Sequence, residues 1–200
     1  MNTQDKEDSF TLEILQTIEQ KNDVTQRHLA DRMGVALGLA NSYLKRCVRK
    51  GLVKIHHAPA NRYLYYITPE GFSEKSRLTA KYLSSSFDFY RKAGNSFRDV
   101  FALAQEENWK NILFCGISEL SEIASLRMNE FGLKHIATFE SGSNLSEFLG
   151  KPVWSSLEKT NDVDAYLITS LNSPNEMYHK VILSVEKNRV LTPEILGIRH

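Results

Sequence analysis

The chain has little sulfur chemistry. Its two cysteines, Cys47 and Cys115, fall in separate expected elements and have no metal-ligand spacing, which argues against a disulfide framework or a zinc site. Apolar runs are short. None approaches the ~18 residues of a membrane span, and the start MNTQDKEDSF lacks the layout of a signal peptide, so the expected compartment is the reducing cytoplasm. A P-loop, a nucleophile elbow with Ser, His and Asp in order, and paired metal ligands are also missing from the 200 residues. His135 lies in an expected strand, His179 has no carboxylate partner at i±4, and His200 ends the chain. No enzyme is expected.

Acid is missing where base is present. Residues 1–93 hold 15 of the 25 Lys and Arg but 10 of the 24 Asp and Glu. Between Asp31 and Glu70 there is no carboxylate at all, while Arg32, Lys45, Arg46, Arg49, Lys50, Lys54 and Arg62 fall there with His56 and His57. A solvated mixed surface intersperses both signs; a one-sign stretch points to a polyanionic partner.

The pattern over this stretch is specific. Phe10, Ile14, Leu15 and Ile18 recur at helical spacing, giving a first helix over 8–20. Thr25 is a good N-cap for a short helix to Met33, with Val24 and Leu29 as a hydrophobic staple. Gly34 supplies a turn, and a third helix over 37–50 stops at Gly51. This is a helix-turn-helix arrangement. On the third helix Ala40, Leu44, Cys47 and Val48 can face a core, leaving Asn41, Ser42, Lys45, Arg46 and Arg49 outward. Amides and hydroxyls suit base edges, and cations suit phosphates. Two β-rich runs, LVKIHH and RYLYYIT, flank APAN and read as a hairpin. Tyr63, Tyr65 and Tyr66 lie in it; with strand faces alternating, some must pack on the helices. His56 and His57 are adjacent and so point to opposite faces.

The stretch QRHLADRMGVALGLANSYLKRCVRKGLVKI, followed by YYITPEG, resembles the MarR-type winged-helix transcriptional regulators, closest to the group associated with exopolysaccharide biosynthesis. The resemblance covers about 10–90. It implies double-stranded DNA as partner, with Asn41, Ser42, Lys45, Arg46 and Arg49 along the major groove, His56, His57, Asn61 and Arg62 on the wing, and Gln26 and Arg27 joining the set. Ala36 stands where such proteins often have serine.

Thr68 and Pro69 open a long helix, on which Phe72, Leu78, Tyr82, Leu83, Phe87 and Tyr90 continue an apolar pattern. Its expected use is a homodimer interface, with a break at Gly94-Asn95 and a further helix over FRDVFALAQEENW.

In the carboxyl-terminal half strands and helices alternate. NILFCG is followed by a helix to Gly132, LKHIATFES is a second strand, GKPVW an extended piece, DVDAYLITS a further strand, and SPNEMYHKVILSVEKN a helix with Ser173 as N-cap. Alternation implies a parallel sheet. The expected fold class is thus an α+β winged helix-turn-helix domain (1–68), a long helix and linker (69–109), and a small α/β Rossmann-like parallel-sheet domain (110–200). The runs ILFCGISELSEIA, ATFES, LGKPVW and DAYLITS resemble the amino-terminal domain of sugar O-acyltransferases and, more distantly, the sensor domain of Rex repressors. The first turn, Gly116-Ile117-Ser118-Glu119-Leu120-Ser121, has serine where a dinucleotide fingerprint places small residues. Glu140, 24 residues after Gly116, stands where an acid would hold ribose hydroxyls. A ligand would meet Gly116, Ile117, Ser118, Glu140, Ser141, Ser170 and Leu171. Three uses stay open: a nucleotide, nucleotide-sugar or other small effector; NAD(H); or a structural domain for assembly. The alternative to a DNA-binding regulator is a small nucleotide- or nucleotide-sugar-binding enzyme subunit with a protein-binding winged domain.

Overall fold

The structure, a computed structural model, describes residues 3–59, 62–158 and 162–198. The chain divides after Phe87 into two compact units. Among the described residues no helix is long and apolar enough to cross a membrane.

The first unit is a winged helix. Helices α1 (Thr3–Gln20), α2 (Gln26–Met33) and α3 (Leu37–Arg49) precede an antiparallel hairpin of β1 (Val53–Ala58) and β2 (Arg62–Ile67). The Thr25 hydroxyl accepts from the His28 amide at 3.1 Å, closing the start of α2. Gly34 ends α2 at φ 62°, a left-handed conformation that costs glycine nothing. Ile14, Leu15 and Ile18 of α1 pack with Leu29, Leu44, Cys47 and Tyr65 in one buried core, with Val48 partly buried beside it. At Thr68 the hydroxyl accepts from the Gly71 amide at 3.0 Å and donates to the Gly51 carbonyl at 2.6 Å. One side chain thus caps the next helix and ties it to the end of α3.

That next helix, α4 (Pro69–Glu106), is unbroken. The break expected at Gly94-Asn95 does not occur, and FRDVFALAQE is the last part of the same helix. A glycine in a helix interior costs only about 1 kcal/mol. Here it serves packing: a Cβ on Gly94 would stand 2.9 Å from the Arg127 Nε.

Among the described residues the second unit holds a six-stranded sheet in the order β5-β6-β4-β3-β7-β8, formed by β3 (Asn111–Cys115), β4 (Lys134–Phe139), β5 (Glu147–Phe148), β6 (Lys151–Trp154), β7 (Ala165–Ile168) and β8 (Val190–Leu191), with α5 (Glu119–Met128) and α6 (Pro174–Ile182) as its longer helices. All pairings are parallel except β5 with β6. The antiparallel edge β5 and the last strand β8 are two residues each, too short to give a periodic signal. The helix expected over SPNEMYHKVILSVEKN ends at Ile182. Ser173 holds the N-cap position but makes no side-chain cap. Chain order runs outward from β3 to β4 and β6, then resumes on the other side of β3 at β7. The reversal lies between the carboxyl ends of β3 and β7, the place where α/β sheets of this kind bind ligands.

Candidate nucleic-acid interface

On α3, Ala40, Leu44 and Cys47 are buried, while Ser42, Lys45 and Arg49 are exposed and Asn41 is half-buried. The hairpin register sets Ile55 opposite Tyr65 and His57 opposite Tyr63. Alternation puts these four on the face turned to α3. The outcome is a concavity of about 650 Å³ between helix and wing, in which Gln26, Asn41, Ser42, Lys45 and Arg49 meet Ile55 and Tyr63. The Asn41 Oδ1 is buried without a hydrogen-bond partner.

The cations sort by partner. Arg32 bonds to Glu13 at 2.8 Å, and Arg46 is held by Glu7, both carboxylates belonging to α1. Arg46 also lies over the Tyr43 ring, 5.5 Å from its centroid. It is therefore engaged by the protein, not displayed beside Lys45 as expected from sequence. Among the described residues, Lys45, Arg49, Lys50, Lys54 and Arg62 meet no carboxylate within the 4.0 Å of an ion pair. Arg27 on α2 is exposed and likewise unpaired there.

The wing residues divide. His57 shares the hairpin face of Tyr63, its ring 4.6 Å from that of Tyr63, whereas His56 and Arg62 lie on the opposite face. Asn61 lies outside the described residues. Of the three tyrosines Tyr65 is in the core, at 2% exposure, while Tyr63 and Tyr66 are exposed on opposite faces. Ile55 and Tyr63 were missed as groove residues because the strand register, which puts them on the α3 side, depends on the turn.

In the second unit the expected ligand turn is closed by its own side chains. The Gly116 amide donates to Phe139 O at 2.9 Å. The Ile117 amide donates to Glu140 Oε2 at 2.9 Å. The Ser118 amide donates to Ser121 Oγ at 3.2 Å, and the Leu120 amide to Ser118 Oγ at 3.1 Å. Ser118 is thus the N-cap of α5, and its hydroxyl donates to Thr169 O at 2.5 Å. Ser121 Oγ and Thr169 Oγ1 both donate to Gly116 O. Gly116 has φ 112°, and a Cβ there would meet Ser170 N at 2.5 Å. Gly116, Ile117, Ser118, Glu140 and Ser170 therefore come together at the topological switch. Ser141 and Leu171 are exposed, each next along the chain from Glu140 and Ser170.

Reactive side chains are withdrawn. Both thiols are free and buried, and burial pushes Cys47 up to about 11 and Cys115 upward as well. His135 is buried, bonded to Thr138 Oγ1 at 3.0 Å and stacked on Phe114 at 4.1 Å. Burial lowers it to about 4. Among the described residues no group of His, Cys, Asp and Glu could hold a metal ion.

A family model described as winged helix-turn-helix DNA-binding matches residues 7–54. No curated protein matches the chain. Among the solved structures that match, at low identity, are the following two. One is MepR, a transcription regulator of the Staphylococcus aureus multidrug efflux pump MepA, 19% identical over 42% of this chain and 61% of its own, with a TM-score of 0.36. The other is human N-acetylserotonin methyltransferase in complex with SAM, 12% identical over 94% of this chain and 74% of its own, with a TM-score of 0.34. The chain thus spans about three fifths of the length of MepR. The family match falls on α1, α2, α3 and the start of β1, so sequence and geometry agree that the first unit is a winged helix-turn-helix of the DNA-binding kind.

Proposed function

We propose that the protein is a DNA-binding transcriptional regulator of MarR type. The observation that carries this reading is the sorting of cations in the carboxylate-free stretch. Arg32 and Arg46, beside α1, are neutralised, while, among the described residues, Lys45 and Arg49 of the recognition helix are left unpaired around polar Asn41 and Ser42, and Lys54 and Arg62 are left unpaired on the wing. Unpaired like charges in one small unit repel one another and add nothing to folding; they find their partner in phosphate. Lys45 and Arg49 take phosphates, while Asn41 and Ser42 meet base edges from the concave side. The genes controlled, on the resemblance given above, belong to polysaccharide biosynthesis.

The working unit is a homodimer. Leu83 and Phe87 recur on α4 at i and i+4 and are 47% and 59% exposed, so one helix face carries large apolar groups in water. A paired face of this kind supplies the two-fold symmetry with which helix-turn-helix proteins read two half-sites.

For the second unit we favour assembly over phosphate-dependent ligand sensing. Glu140, Ser118 and Ser121 take the Ile117, Leu120 and Ser118 amides that a pyrophosphate would need. Isothermal titration of the full chain with NADH, ATP and UDP-glucose tests this; heat of saturable binding from any of them overturns it. Retention of labelled duplex DNA, abolished in Lys45→Ala plus Arg49→Ala with unchanged folding, tests the DNA-binding reading.

A further inference from the structure

Arg46 belongs with the polar side of α3, yet its charge is taken up by α1. Successive helix positions lie about 100° apart, which sets Arg46 about 40° from Ser42 and about 60° from Arg49, both of them exposed. Glu7 holds it there. The two side chains are 39% and 25% exposed, so water and salt screen this pair less than a fully exposed one. Two rings complete the clasp. The Arg46 guanidinium lies over Tyr43, 5.5 Å from its centroid, and Tyr43 meets Phe10 of α1 edge-on at 5.0 Å. Glu7 and Phe10 are three positions apart on α1, as Tyr43 and Arg46 are on α3, so neighbouring side chains of each helix close on one another. The amino end of α1 is itself tied down, because Lys81 of α4 donates to Asp5 at 2.9 Å and to Asp8 at 2.8 Å. Packing does not call for a charge at this place. The helix fills the core through Ala40, Leu44 and Cys47, and the Phe10 and Tyr43 rings already join α1 to α3. A carboxylate beside a helix that meets phosphate opposes the meeting twice: it neutralises a cation, and its own charge repels the anion.

Resting on the DNA-binding reading, we infer that Glu7 competes with DNA phosphate for Arg46. It holds Arg46 off the DNA backbone and keeps binding one phosphate contact weaker than α3 could supply. Asn41 and Ser42, which face the bases, are left as they are. Affinity is therefore lowered in the part that carries no sequence information.

The test uses the full chain and a random-sequence duplex, with affinity measured by fluorescence anisotropy across a range of salt. Glu7→Gln keeps the shape of the side chain and removes its charge. It is expected to bind roughly fivefold more tightly near 0.1 M salt, with a salt slope steeper by about 0.9, the increment of one phosphate. Arg46→Gln keeps the slope of the parent, since Arg46 meets no phosphate there, and Glu7→Gln plus Arg46→Gln loses the gain. A pair that served only folding would lower the melting temperature of all three variants and leave their slopes alike. A Glu7→Gln slope equal to that of the parent, a gain that survives in the double variant, or an Arg46→Gln slope shallower by one phosphate overturns the inference while DNA binding stands. Retention of no duplex at low salt by either the parent or Glu7→Gln overturns the DNA-binding reading and the inference with it.

Discussion

Lys45 and Arg49 are the side chains on which DNA binding turns. Both are exposed on α3 and unpaired among the described residues, so their removal leaves no buried charge behind. Lys45→Ala plus Arg49→Ala is expected to leave the melting temperature unchanged and to reduce duplex retention at least tenfold, as read by fluorescence anisotropy. Asn41 separates stability from function in the other direction. An unpaired buried amide oxygen costs about 1–3 kcal/mol, so Asn41→Ala should fold as well as the parent or better, and bind DNA more weakly. A lower melting temperature together with unchanged DNA binding would refute that assignment. His135 makes a pH prediction. Its folded value, about 4, lies below the ordinary 6.5, so the unfolded chain binds the extra proton as pH falls through this interval. Stability is full above pH 6.5 and declines down to pH 4, by on the order of 3 kcal/mol from this one group. Denaturant titrations of parent and His135→Phe should diverge in that window and run parallel above it.

Among the elements, α3 begins without a side-chain cap at Ala36. Ala36→Ser is expected to stabilise the first unit by about 1 kcal/mol, visible as a higher denaturant midpoint; no shift would mean that the new hydroxyl finds no amide. The elements legible in the sequence were those with local punctuation: Thr25 and Gly34 around α2, Thr68-Pro69 before α4, Gly116 after β3. Each does there what its local chemistry requires. What was not legible depended on distant partners. Gly94 resembles a helix breaker until Arg127 is seen beside it. Arg46 resembles a DNA contact until Glu7, 39 positions earlier, is seen to hold it. Ser118 and Glu140, read as parts of a phosphate turn, are taken up by the fold: the Ser118 hydroxyl donates to Thr169 O, 51 positions on, and Glu140 accepts from the Ile117 amide, 23 positions back. Side-chain types and spacing gave the site's members, and only tertiary structure gave its occupancy.

At the scale of the whole molecule, the exposed apolar face of α4 predicts self-association. Leu83→Asp plus Phe87→Asp adds charge on a face already exposed and should preserve folding while converting a dimer to a monomer in sedimentation equilibrium. A parent chain that is monomeric at tens of micromolar contradicts the dimer. The central claim, that the unpaired cations of α3 and the wing exist for DNA, is tested most directly by the salt dependence of duplex binding. The dissociation constant of the parent chain for a random-sequence duplex is measured by anisotropy across about 50 to 200 mM salt. A linear fall of log affinity with log salt is predicted, with a slope of about −0.9 per phosphate neutralised, made shallower by roughly two units in Lys45→Ala plus Arg49→Ala where binding is still measurable. Affinity that is flat across this range, or a slope that the double variant leaves unchanged, would contradict the account.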